Sequence, residues 1–480
     1  MRARGGALAF CLAVSAAAPV AHAQAATSCD GRDATVVGTE GSDVLDGTSG
    51  FDVIAGLGGD DTIKGLEGTD FICGGAGHDT LYGDGSGRPA GDTFSEVVLG
   101  EEGDDVLYGH GSYWTGTIHG GPGDDVFLRG PVSFARSPAA VLVDLGTGDA
   151  FGEGHDTLLD VDVVFGSAHG DDMRGTDAFD HFEGGAGNDA LSGADGSDLL
   201  SGDAGEDLLV GGDGSDYNLF GGEGDDELYG GRGRDSLYGE TFTDPDTGFG
   251  DDLLMGGSGH DEAVFNVGGA NDGVRVDLAE RRATGYGTDK LVAIEGVTGS
   301  SGPDVLLGDR GPNELDGFFG DDVVLGRGGN DDLNRGGGGV DAGDVVRGGP
   351  GDDELFLDDC CAGIALYGGP GRDLANFWSD DYPRDAVVVD LRKGTYAFPG
   401  MRGRLVSVEG ADGTAGADRL LGDVGRNFID GSYGRDVVRG RGGDDVLSGG
   451  KGRDRVSGGR GQDRCADRRD RLAGCERTRR

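Results

Sequence analysis

From Asp43 onward an aspartate returns every nine residues, at Asp43, Asp52, Asp61, Asp70 and Asp79, each with glycine five positions before it and an apolar residue two positions after it. Carboxylates at so fixed an interval supply hard, charged oxygen, the donor that oxygen-seeking divalent cations prefer. The five blocks abut as GTEGSDVLD, GTSGFDVIA, GLGGDDTIK, GLEGTDFIC and GGAGHDTLY, all of the form G-x-x-G-x-D-x-U-x with U apolar. A second run, from Gly166 to Tyr238, holds eight units; His169 and Ala178 replace the second glycine in two of them, and one extra residue enters near Asn218. Runs from Gly299 and Gly413 add four and six units, and single units start at Gly100, Gly120, Gly256, Gly348 and Gly368.

The elements that must position these carboxylates follow from the other residues of the block. Glycine permits left-handed turns and close approach of one backbone to the next. The apolar residue and its β-prone neighbours, as in Asp43-Val44-Leu45-Asp46, make a strand of about three residues with one side chain pointing inward. Two units then complete one coil, with a turn on each side and a small strand on each face. Stacked coils give parallel sheets and bring turn above turn, about 4.8 Å apart. Carboxylates repel at that spacing in a partly desolvated groove. A divalent cation between them removes the repulsion, and Ca2+ accepts the irregular coordination of carbonyls and carboxylates where Mg2+ demands an octahedron.

These blocks resemble the RTX (repeats-in-toxin, hemolysin-type) calcium-binding nonapeptide, a resemblance that covers most of the chain beyond the N-terminus. It implies an all-β fold, a parallel β-roll or β-solenoid of stacked repeats, in which Asp carboxylates and backbone carbonyls of successive turns enclose Ca2+. Carried over by position, the ligands are Asp43, Asp52, Asp61, Asp70 and Asp79 in the first run and Asp171, Asp180, Asp189, Asp198, Asp207, Asp216, Asp226 and Asp235 in the second. They continue as Asp304, Asp322 and Asp331, then Asp418, Asp436, Asp445, Asp454 and Asp463, with Asp105, Asp125, Asp261, Asp353 and Asp373 in the single units. Asn313 and Asn427 stand where Asp is expected and imply weaker sites. If a run of n units forms about n − 2 sites, the four runs hold roughly 15 ions. One apolar side chain in nine buries too little surface to order so glycine-rich a backbone, so folding is expected to require the metal.

Three segments depart from the nonapeptide: AVLVDLGTGDAFGEGHDTLLDVDVVFGSA from Ala140, VRVDLAERRATGYGTDKLVAIEGVTGSS from Val274 and VVVDLRKGTYAFPGMRGRLVSVEGADGTA from Val387. Each reads as a hairpin that caps or links rolls, with Asp144, Asp277 and Asp390 as structural polar residues. They divide the chain into serial modules over 24–139, 140–273, 274–386 and 387–480. Residues 1–23 have the charged start, apolar middle and Ala-x-Ala end of a secretory signal. An exported chain with six remaining cysteines favours disulfides, and the plausible scheme is Cys29 with Cys73 and Cys465 with Cys475, with Cys360 and Cys361 vicinally paired or reduced. Spacing alone does not fix that connectivity.

Composition narrows the function. Acidic residues outnumber basic ones 89 to 40, for a formal charge of −49, and 104 residues are glycine. Nucleic acid and anionic membranes are poor partners for such a chain, no stretch suits membrane insertion, and cations are good partners. No H-E-x-x-H or G-x-S-x-G motif occurs, and the histidines (His78, His110, His119, His155, His169, His181 and His260) read as solvated loop residues. The aromatics Tyr113, Trp114, Phe242, Phe377, Trp378 and Tyr382 read as covers for the roll's apolar ends or, alternatively, as a carbohydrate-stacking surface. The basic tail, with Arg468, Arg469, Arg471, Arg477, Arg479 and Arg480, reads as a solvated end staple or a grip on an anionic cell-wall polymer. The leading expectation is a non-enzymatic, secreted or surface-associated calcium-binding protein with a structural, adhesive or ion-buffering role. The competing one is a secreted polysaccharide-acting lyase or epimerase built on the same repeats.

Overall fold

The computed structural model describes residues 28–84, 96–109, 116–240, 249–266, 273–336, 343–357, 364–377, 386–399, 401–466 and 471–475. In each unit the apolar U residue sits mid-strand with half-exposed neighbours: Leu237 is buried between Ser236 and Tyr238. That alternation is the period of two expected of a strand with one covered face. Strands pair in parallel with the strand two units on. Leu191, Leu209, Leu228 and Leu254 align in one sheet, and Leu200, Leu219, Leu237 and Ala263 in the other. Alternate units therefore build opposite sheets, and each coil gives one strand to each. The step between coils is 18 residues within the tandem runs, 19 where the extra residue near Asn218 enters, and 20 to 37 where loops or the non-repeat segments intervene.

The U side chains of both sheets meet in one apolar core that continues from Ile54 to Cys465. Leu209, Leu219, Leu228 and Leu237 within it are fully buried. No α-helix occurs among the described residues, and none of their helices is long and apolar enough to cross a membrane.

The three non-repeat segments carry three strands each. Leu142–Asp144, Asp149–Phe151 and His155–Leu159 form an antiparallel meander. Its last strand pairs in parallel with Val126–Leu128 and its first with Asp172–Arg174, so the sheet crosses the insertion unbroken. The same arrangement recurs at Arg275–Asp277, Arg282–Thr284 and Lys290–Val292, and at Val388–Asp390, Thr395–Phe398 and Met401–Val406. The opposite sheet meanwhile keeps ordinary parallel register, from Val132 to Val164. Asp277 and Asp390, both buried, each accept a bidentate guanidinium, from Arg327 (2.7 and 2.8 Å) and Arg441 (2.7 and 3.1 Å).

Disulfides join Cys29 to Cys73 and Cys465 to Cys475, with Cα separations of 5.6 and 5.7 Å. Two sequence expectations need correction. His181 is not solvated: it is buried on a strand, with Nε2 3.4 Å from Glu183. Burial also pushes the imidazole of His119 down to about 4. Phe377 does not cover a roll end but packs in the core at 5.3 Å from the Tyr396 ring, because the third insertion places apolar side chains over it. The signal segment 1–23, Cys360, Cys361, His110, Tyr113, Trp114, Phe242, Trp378, Tyr382, Arg468, Arg469, Arg477, Arg479 and Arg480 lie outside the described residues.

Candidate metal centres

Each repeat aspartate stands two residues ahead of the buried apolar side chain, so its carboxyl group lies where the turn enters the strand, covered by the next coil. Beyond the first coil of each run, Oδ1 accepts the backbone N–H of the aspartate one coil earlier, or of Asn313 and Asn427, whereas Asp171, Asp304 and Asp418 accept from Val141, Val274 and Val387. Asp207 N–H donates to Asp226 at 2.8 Å, Asp226 N–H to Asp252 at 2.9 Å, and Asp436 N–H to Asp454 at 2.8 Å. The result is a column of carboxyl groups along each edge of the roll, fixed by the same ladder that fixes the strands.

Oδ2 separates these residues into two classes. In the first two units of every run it is capped from within the unit by the residue after the first glycine. Thr39 N–H caps Asp43 (2.6 Å), Thr48 Asp52 (2.5 Å), Ser167 Asp171 (2.5 Å), Thr176 Asp180 (2.6 Å), Ser300 Asp304 (2.6 Å) and Thr414 Asp418 (2.7 Å). Asn313 and Asn427 are the second units of their runs, and their Oδ1 is capped in the same way by Asp309 and Asp423, each at 2.8 Å. In later units the residue after the first glycine is itself glycine or takes a left-handed conformation, as Leu57 (φ 82°), Leu66 (φ 79°) and Ala194 (φ 80°) do. There Oδ2 is buried without a hydrogen-bond partner, at Asp61, Asp79, Asp105, Asp125, Asp189, Asp198, Asp207, Asp216 and Asp226, and again at Asp322, Asp331, Asp353, Asp373, Asp436, Asp445 and Asp463. Asp70, Asp235, Asp261 and Asp454 hold the equivalent register.

The first glycine of each open unit leaves room for this oxygen. A Cβ on Gly230 would lie 2.5 Å from Asp235 Oδ2 and 2.7 Å from the Gly256 carbonyl oxygen of the next coil, closer than real Cβ contacts come. Carboxylate and carbonyl oxygens thus converge on a space that only a glycine can leave empty. The fourth residue has a different reason to be glycine: Gly233 has φ +141°, and a Cβ there would strike the Gly214 carbonyl.

Burial dominates the electrostatics. It pushes the Asp226 carboxyl up to about 8, aided by the charges of Asp252 and Asp207 and opposed by the Asp207 N–H. Asp125 and Asp322 are likewise pushed up to about 8 and Asp105 to about 7. Asp277 and Asp390 show the opposite behaviour, held below the usual range by hydrogen bonds from Arg327 and Arg441. Asp105, Asp125, Asp226 and Asp322 therefore resist ionisation until a cation compensates them.

The column also contains acids outside the full motif. Asp125 N–H donates to Asp156 (3.0 Å), Asp252 to Asp289 (3.3 Å), Asp261 to Glu295 (3.1 Å) and Asp373 to Glu409 (3.1 Å). Together with Asp252, these acids lack the glycine five positions earlier, and the signal that finds them is an acid two residues before a buried apolar one. At one coil an arginine replaces the metal-type arrangement. Arg335 stands where a unit would place its first glycine, and its Nη1 pairs with buried Asp344 at 2.7 Å.

A family model for the RTX calcium-binding nonapeptide repeat matches residues 37–86, 91–112, 165–244, 246–263, 298–333 and 412–465, more than half of the chain. The chain belongs to this family. RTX repeats bind multiple Ca2+ ions, and the present donor set fits them: buried carboxylate oxygens without partners, carbonyls beside them, and a cradle that a Cβ would fill. Among the described residues no three His, Cys, Asp or Glu side chains gather as a metal cluster. The insertions at 140–159, 274–292 and 387–406 fall outside the matched stretches, yet the RTX ladder passes through them. No curated protein matches the chain.

Proposed function

We propose that this RTX chain is a secreted, non-enzymatic solenoid that folds when Ca2+ binds between its turns and acts outside the cell as a structural, adhesive or ion-buffering element. The observation that carries this reading is the column of buried Oδ2 atoms, which form no hydrogen bond while their Oδ1 partners all do. Burying an ionised carboxylate without compensation is costly. Among divalent ions the oxygen-only donor set favours Ca2+, which supplies the positive charge that lets these groups ionise.

The ligands in this reading are Oδ2 of the open aspartates and the glycine carbonyls beside them. Asp43, Asp52, Asp171, Asp180, Asp304 and Asp418, whose Oδ2 is already capped, begin each run without an ion. A run of n units then offers n − 2 open units, the ratio that gave roughly 15 ions in the four runs. Low cytosolic calcium would leave the chain unfolded for export, and calcium outside would fold it, with dissociation constants of about 10⁻⁴ to 10⁻³ M for such modules.

The test is circular dichroism of the purified chain, stripped with EDTA and titrated with CaCl2, with MgCl2 as control and bound ions counted by mass spectrometry. β-structure that appears only with calcium, together with many bound ions, supports the proposal. A chain equally ordered after chelation, with no ions bound, defeats it.

A further inference from the structure

The three insertions are equivalent in register, and one of them lacks a part. In the second, Asp277 lies beside Leu307 and then Leu325 across the sheet, and the residue two positions after Leu325 is Arg327. In the third, Asp390 lies beside Leu421 and Arg439, and two positions on is Arg441. Both arginines hold their aspartate bidentately, and both also donate to the carbonyl of the coil between, Gly308 (3.1 Å) and Gly422 (2.8 Å). In the first insertion, Asp144 lies beside Arg174 and Ser192, and two positions on is Ala194.

Ala194 keeps the backbone conformation of its counterparts, φ 80° against 70° for Arg327 and 75° for Arg441. Only the guanidinium is gone. In its place is an open depression of about 730 Å³ lined by Asp144, Gly175, Asp177 and Ala194 among others, where Gly175 corresponds to Gly308 and Gly422. A Cβ on Gly146 would lie 3.1 Å from Asp144 Oδ1 and 4.0 Å from the Gly175 carbonyl, so both acceptors face the same space. The Asp144 carboxylate accepts a hydrogen bond from Thr147 N–H at 2.9 Å. Arg174 lines the rim, and no ion pair joins it to Asp144 among the described residues.

We infer that the Asp144 depression is a guanidinium-binding site, which takes from a partner polypeptide the arginine side chain that Arg327 and Arg441 supply internally at the other two insertions. The planar fork of guanidinium matches a carboxylate bidentately and leaves a third N–H for the Gly175 carbonyl, whereas a lysine ammonium cannot reproduce that fork. The depression also opens to solvent, as a site filled from outside must.

The test is isothermal titration of the full, calcium-loaded chain with N-acetyl-arginine amide, free L-arginine and N-acetyl-lysine amide. One arginine derivative should bind per chain, about tenfold or more tighter than the lysine derivative. Asp144→Asn should weaken it about tenfold or more, and Ala194→Arg, which fills the depression from within, should abolish it. Binding of the blocked derivative over free arginine supports a polypeptide source, and the reverse preference replaces that source with the free amino acid. No arginine binding, or binding unchanged by Asp144→Asn and Ala194→Arg, overturns the inference and leaves the calcium reading untouched.

Discussion

Asp226→Asn should change stability in opposite directions with and without calcium. Asp226 is buried in mid-column, its Oδ1 accepts the Asp207 N–H at 2.8 Å, and its Oδ2 has no hydrogen-bond partner. Asparagine keeps an acceptor oxygen for that N–H and replaces the partnerless oxygen with a donor, in the space it shares with the Gly239 carbonyl oxygen. Removing an unsatisfied buried group of this kind should favour the metal-free fold by about 1 to 3 kcal/mol. The loaded protein loses an ion instead: at about 10 mM calcium, a site with a dissociation constant of about 10⁻⁴ to 10⁻³ M contributes about 1.4 to 2.7 kcal/mol. Urea unfolding in calcium should therefore show a lower midpoint, and mass spectrometry a loss of at least one bound ion. In EDTA the variant should show β-sheet ellipticity equal to or above that of the parent. A variant less ordered in both conditions, with its full ion count, would refute the reasoning and reduce Asp226 to a turn-forming residue.

Further outcomes follow from the same geometry. With calcium removed, the raised carboxyls of Asp105, Asp125, Asp226 and Asp322 favour the folded state below their unfolded value near 3.8, and that stability is lost as pH rises through about 7 to 8. The chelated chain should thus be most ordered in mild acid, and adding calcium to that acid-ordered state should release protons measurable in a pH-stat; an unbuffered, acid-ordered sample whose pH stays constant on calcium addition would contradict this. Gly230→Ala, at a position without left-handed φ, would ordinarily stabilise by about 0.4 to 1 kcal/mol. Here it should lower the ion count and the calcium-loaded melting temperature, because its Cβ enters the space beside Asp235 Oδ2. Leu228→Ala should cost about 2 to 5 kcal/mol in urea unfolding with calcium present, since paired strands on both sides prevent collapse of the cavity, while exposed Glu227→Ala should change little. Arg335→Gly restores a first glycine and frees Asp344, and should add one bound calcium; an unchanged count would show that this coil is not an arginine-substituted site.

Much of the roll was legible because its local and global periods agree. Nine residues bring one apolar side chain and one aspartate to the same place in every half-coil, so Leu228 and Asp226 could be assigned to core and turn before any coordinates. The sequence leaves the terminal pairs Cys29–Cys73 and Cys465–Cys475 as one scheme among several, and proximity in the fold decides them. The burial of His181 and Phe377 is not legible in the sequence, because it depends on what the neighbouring coils and insertions cover, which neither residue's own surroundings in the chain disclose.

What the sequence by itself determined was the repeating unit: its strand, its turn, the oxygen it carries and hence the preference for calcium, all consequences of contacts within nine residues. What only the tertiary structure decided was which of those oxygens are open. Asp43 and Asp61 share a motif, but one is capped by Thr39 and the other is buried bare, because Leu57 adopts a left-handed turn that Thr39 does not. The same holds for partners two coils apart, such as Asp277 with Arg327 against Asp144 with Ala194. Stacking brings residues 50 apart to within hydrogen-bonding distance, and no local pattern specifies which side chain will arrive there.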